Sequence, residues 1–147
     1  MRYLNNDFVL GYYIHLYTDY LWFKYFIPEI YSYNLIKKID GSVVRCSQCL
    51  MMKYIYSDYT NLNTRLLDEY DLDLKIFYNE LPEFEDIIEE IRMDKLQLLI
   101  DKTSIIIENT RQRKEYVFDI DNIKQFINTA SKLILAKIDE LGVNYLQ

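Results

Sequence analysis

Glycine and proline are nearly absent from this chain: 3 and 2 among 147 residues. Tight turns depend on them, because glycine reaches positive φ freely and proline fixes φ near −65°. A sandwich or barrel would need such a turn about every 8–12 residues. So few turn residues predict long helices instead: an all-α fold, a single-domain bundle of about five helices spanning residues 1–147.

The helices are read from caps and periodicity. Asn6 or Asp7 caps the first, which runs to about Phe26 before Pro28 ends it. Its inward face is predicted as Phe8, Gly11, Tyr12, His15, Asp19, Trp22, Phe23 and Phe26, spaced by threes and fours. Residues 32–47 form the irregular part, with a turn at Asp40-Gly41 and two extended residues, Val43 and Val44. Ser47 caps a second helix reaching about Tyr70, with the stripe Leu50, Met51, Tyr54, Ile55, Asp58, Leu62, Arg65 and Leu66. Pro82 starts a helix that buries Phe84, Ile87, Ile88 and Ile91. A fourth helix runs from about Met93 to Gln112, and a basic cluster, Arg111, Arg113 and Lys114, lies at its C-terminal end. The last spans about Asp121 to Leu141, with Gly142 as its stop and the Asp119-Ile120-Asp121-Asn122 segment as its cap.

Charge limits the partners. A net charge of −6 argues against nonspecific nucleic-acid binding and against docking on anionic membranes, both of which need basic patches. No run of about 18 uncharged apolar residues exists, so no transmembrane segment is predicted. The nearest candidate, Phe8 to Ile30, is broken by His15, Asp19, Lys24 and Glu29. Two cysteines and no secretory leader predict a reducing, cytoplasmic setting. Cys46-Ser47-Gln48-Cys49 is a C-x-x-C. A zinc knuckle needs a second such pair, and a redox motif needs a βαβ context that the sequence does not suggest, so it reads as two reduced thiols.

Chemistry concentrates in the first helix. His15 and Asp19 are four residues apart and share one face. Imidazole and carboxylate at that spacing can hold a divalent cation from one side or pair with each other. Gly11, one turn earlier, would let a ligand or another backbone come close. Asp58 interrupts the apolar stripe of the second helix, with Asn61 beside it. If that face packs on the first helix, Asp58 meets His15 and Asp19. Otherwise it pairs with Arg65 or lies on a solvated helix edge.

The segment from Gly11 through Tyr12, His15, Leu16 and Asp19 to Trp22 resembles the Gly-Tyr-x-x-His-Leu-x-x-Asp-x-x-Trp helix of the bacterial zinc-dependent phospholipase C family. The resemblance implies an all-helical, metal-dependent hydrolase of phosphate esters in which His15 and Asp19 bind zinc. Asp58 is the candidate for a third ligand. The family's earlier Thr-His and Pro-Asp segments have no counterpart here, so the chain is expected to match the C-terminal part of that fold with an incomplete metal site. A catalytic zinc needs three protein ligands and an open position. Two expectations follow. One is a phosphoester hydrolase whose site is completed by Asp58 or a second chain. The other is a noncatalytic helical interaction protein with a structural His15–Asp19 pair, forming a homodimer through the Tyr12, Leu16, Trp22, Phe23 and Phe26 region.

Overall fold

A computed structural model describes residues 6–72, 75, 79, 92–108 and 115–143, the side chains of Met93 and of 104–108 excepted. The helix expected from Pro82 and the basic cluster at Arg111, Arg113 and Lys114 lie outside these residues. The described chain is mostly helical, as expected, but it also contains a small antiparallel sheet.

Helix α1 (Asp7–Leu21) starts at Asn6, whose side-chain oxygen accepts from the amides of Phe8 and Val9 at 3.0 and 3.2 Å. Pro28 does not end the helical path. A π-helical turn over Trp22–Phe26 widens the spiral, with the Ile27 amide reaching back to the Trp22 carbonyl, and α2 (Ile27–Ile30) follows directly. Pro28 then stands in the first turn of α2, where its missing N–H costs little.

Next come β1 (Tyr31–Ser32), β2 (Leu35–Lys37) and β3 (Val43–Arg45), in the order β1-β2-β3. Tyr33 and Asn34 join the first two strands at φ of 51° and 60°, the two-residue turn whose twist suits a hairpin. Asp40-Gly41 makes the expected turn, and it closes a second hairpin: the Asp40 carboxylate accepts from the Ser42 amide at 2.9 Å, and Gly41 has φ +80°. Along β2 only Ile36 points inward, between exposed Leu35 and Lys37.

Helix α3 (Gln48–Glu69) is capped by Ser47, as expected. Helix α4 is Met93–Glu108 and α5 is Ile120–Glu140. Asp119 caps α5 through the Asp121 amide at 2.8 Å. At the far end Gly142 takes φ +67°. Its amide and that of Val143 return to the carbonyls of Asp139 and Ile138, while Val143 packs beside Ile138.

Two clusters make the core. The larger joins Ile27, Ile36, Cys46, Met51, Ile55, Leu62, Val117, Phe118 and Ile123, so α3, the sheet and the segment before α5 meet there. Trp22 packs into it against Phe26, Phe118 and Phe126, with ring centroids 4.3, 5.2 and 4.9 Å away. The smaller cluster sets Leu10, Ile14, Tyr17 and Leu21 of α1 against Ala130, Ile134 and Ile138 of α5. Each well-buried Leu or Ile contributes about 1.5–3 kcal/mol.

Candidate functional site

The face of α1 that meets α5 carries Leu10, Ile14, Tyr17 and Leu21, not the stripe containing Gly11, His15 and Asp19. The expected inward placement of His15 and Asp19 is therefore corrected. Their side chains are 66% and 51% exposed, and His15 Nε2 lies 3.6 Å from Asp19 Oδ2. The pair does meet, as its spacing suggested. The face was misjudged because α1 is apolar on nearly every side, so periodicity alone could not choose which side is buried. Tyr12 stacks beside the imidazole with centroids 6.5 Å apart. A Cβ on Gly11 would meet nothing within 4 Å, so close approach does not require a glycine there. The open side of Gly11 belongs instead to a shallow groove of about 380 Å³ between the start of α1 and α4, walled by Phe8, Leu96 and Leu99 and edged by Arg92 and Lys95. Both cations already contact the Asp94 carboxylate, at 3.1 and 3.4 Å.

The exposed contact between His15 and Asp19 contributes at most about 1 kcal/mol. The substitution His15→Ala is accordingly expected to change the urea midpoint only slightly, with unfolding followed by circular dichroism.

Asp58 takes none of the roles foreseen for it. It is fully buried, and its carboxylate accepts from three successive backbone amides. Tyr116 N–H donates to both oxygens at 2.9 and 3.0 Å, Val117 to Oδ2 at 2.6 Å, and Phe118 to Oδ2 at 3.0 Å. The three amides form an anion-binding concavity, and the anion is supplied by the protein itself. Arg65 pairs with Glu115 at 2.6 Å rather than with Asp58. Tyr54 meets Tyr116 at 5.1 Å between centroids, and Tyr59 stacks on Phe118 at 5.5 Å. The Ile39 amide adds a bond to the Tyr116 carbonyl at 3.0 Å. Residues 115–118 are thus fastened to α3 and to the hairpin loop, and this sets where α5 begins. Glu115 carried no signal in the sequence. Asp58 did, as a charge on an apolar stripe, but its partners are amides, which no side-chain pattern reveals.

Burial pushes the Asp58 carboxyl above its ordinary range. The amides of Val117, Phe118 and Tyr116 pull it back in part, and the Glu115 charge adds to the rise. Tyr59 is 36% exposed, but desolvation of the rest of its side chain pushes its phenol up to about 12; the Trp22 indole beside it pulls the other way, and the charges of Tyr56 and Asp19 add to the rise. A phenol raised in the folded state binds its proton more tightly there than in the unfolded chain. Its stabilising contribution is complete below the unfolded value near ~10 and is lost as pH rises through the folded value. Stability is therefore expected to fall between about pH 10 and 12. Tyr59→Phe should flatten that fall, as read from urea midpoints across the range.

With Asp58 committed, His15 and Asp19 are left as two donors. Among the described residues no three His, Cys, Asp or Glu side chains gather into a group that could hold a metal ion. Among the described residues, His15 and Asp19 by themselves do not make a three-ligand zinc centre. No described helix is long and apolar enough to cross a membrane. Comparison with models of known families, with curated proteins and with solved structures finds no match.

Proposed function

We propose that this chain is a noncatalytic helical interaction protein that self-associates through the outward face of α1. One observation carries the reading. Leu16, Tyr20 and Phe23, spaced by four and three, form an apolar row turned to solvent, and Phe23 is 61% exposed. Tyr25 extends the row, and the Lys24 ammonium donates to the Tyr20 hydroxyl at its edge. A contiguous apolar row left in water favours a protein partner. A second copy is the simplest one, because a two-fold axis sets the row against itself. Trp22 and Phe26, expected both on the inward face and in this surface, pack on the core. His15 and Asp19 flank the row, and in a pair of chains they would stand at its polar rim.

Zinc retention and turnover decide between this reading and a phosphoester hydrolase. The purified chain, loaded with zinc and dialysed, is expected to keep none in stoichiometric amount and to leave bis(p-nitrophenyl) phosphate intact. Stoichiometric zinc that is lost in both His15→Ala and Asp19→Ala would overturn the proposal in favour of the hydrolase.

A further inference from the structure

One cavity, of about 470 Å³, is taken up by none of the roles above, and its size suits a small molecule. It opens where α2, the end of β2 and the first turns of α5 come together. The sheet register explains the meeting of the first two. Tyr31 pairs with Ile36, and one step further along each segment Ile30 and Lys37 both line the cavity. From α5 come Asn122, Gln125, Phe126 and Thr129, whose spacing puts them on one face of that helix.

The lining combines three kinds of surface. Phe26, Ile30 and Phe126 are half-buried and give an apolar wall, the two rings 5.3 Å apart between centroids. Asn122 and Gln125 bring carboxamides, each able to donate and to accept. The charged residues of the described lining are Glu29, Lys37, Lys38 and Asp119. Two of these are engaged elsewhere. Asp119 caps α5 through the Asp121 amide, and the Lys38 ammonium is turned to the Tyr54 ring, 5.8 Å from its centroid. Glu29 and Lys37 are exposed, and neither has a hydrogen-bond or ion-pair partner among the described residues. Glu29 lies two residues before Tyr31 and Lys37 one after Ile36, so the paired backbone brings both charges to the same part of the lining. An anion alone would meet Glu29 unbalanced, and a cation alone would meet Lys37 unbalanced. A ligand carrying one charge of each sign beside a ring satisfies both and uses the apolar wall. We propose that this cavity binds a free α-amino acid with an aromatic side chain, its ammonium toward Glu29, its carboxylate toward Lys37 and its ring against Phe26 and Phe126. Offset or edge-on ring contacts add to the apolar burial, and the carboxamides of Asn122 and Gln125 serve the polar atoms that the two charges leave over. The site shares none of Leu16, Tyr20 and Phe23 with the proposed self-association surface.

Titration of the full chain with L-phenylalanine, followed through its amide NMR signals, tests the site. Saturable shifts are expected at Ile30, Lys37, Asn122 and Gln125. N-acetyl-L-phenylalanine lacks the ammonium, L-phenylalaninamide lacks the carboxylate and L-alanine lacks the ring, and each is expected to bind at least about fivefold more weakly. Glu29→Gln should weaken L-phenylalanine by a similar factor without weakening N-acetyl-L-phenylalanine. Lys37→Gln should weaken L-phenylalanine without weakening L-phenylalaninamide. Both positions are exposed, so circular dichroism is expected to remain native, and the ligand series on the wild type decides alone if a variant does not fold. No saturable shift up to the solubility limit of L-phenylalanine, shifts confined to other parts of the chain, an analogue that binds as tightly as L-phenylalanine, or folded variants that bind it like the wild type would each overturn the proposal.

Discussion

Asp58→Ala is expected to destabilise the protein by about 3–5 kcal/mol, a large share of the 5–15 kcal/mol that holds a domain of this size. The substitution leaves the amides of Tyr116, Val117 and Phe118 without their acceptor, two of them at buried residues. It also releases the entry to α5, whose stripe supplies Ile123 to the larger cluster and Ala130, Ile134 and Ile138 to the smaller. Asp58→Asn keeps one acceptor oxygen but turns an NH2 group toward N–H donors, so its loss should be smaller and still clear in urea titration. The pair also gives a pH test. Because the folded carboxyl is raised, the native chain binds more protons than the unfolded chain between the ordinary aspartate value and the folded one. The stability of the wild type relative to Asp58→Asn is therefore expected to fall as pH rises through that window, from about pH 4 upward. A difference that grows with pH would reverse the sign and contradict the burial argument.

What the sequence revealed follows from where each signal resides. Ser47, Asp119, Asp40-Gly41 and Gly142 act through their own side chains or their own φ, so each was legible. Spacing by threes and fours also marks Ile123, Ala130, Ile134 and Ile138 of α5, which are buried, but the same spacing admits Leu133, which is exposed. The core face of α1 was not legible, because Leu10, Ile14, Tyr17 and Leu21 compete with Phe8, Tyr12, Leu16 and Tyr20 on the other sides of the same helix. Trp22 and Phe26 pack on the larger cluster, as the inward stripe read from the sequence had them, whereas Phe23 of the same stripe is exposed. The first hairpin escaped notice because its strands are two and three residues long and its turn is Tyr33-Asn34, without a glycine. That His15 and Asp19 meet was legible from their spacing. Their exposure was not, because it depends on the face that α5 selects.

The outward row of α1 carries the second large effect. Leu16→Glu and Phe23→Lys each place a charge where the proposed interface excludes water. Each is expected to weaken self-association by about 1.4 kcal/mol or more, a factor of at least ten in the dissociation constant. Neither residue belongs to the buried clusters, so the unfolding midpoint of a dilute sample should scarcely move. Leu133→Glu, at an exposed leucine of α5 outside the row, serves as the control and should associate like the wild type.

Sedimentation of the wild-type chain over a micromolar concentration series tests self-association through α1 most directly. A species of twice the 17.9 kDa chain mass, dissociating on dilution and absent at the same concentrations in the Leu16→Glu, Phe23→Lys double variant, is the expected result. A single species at 17.9 kDa throughout the series would contradict it.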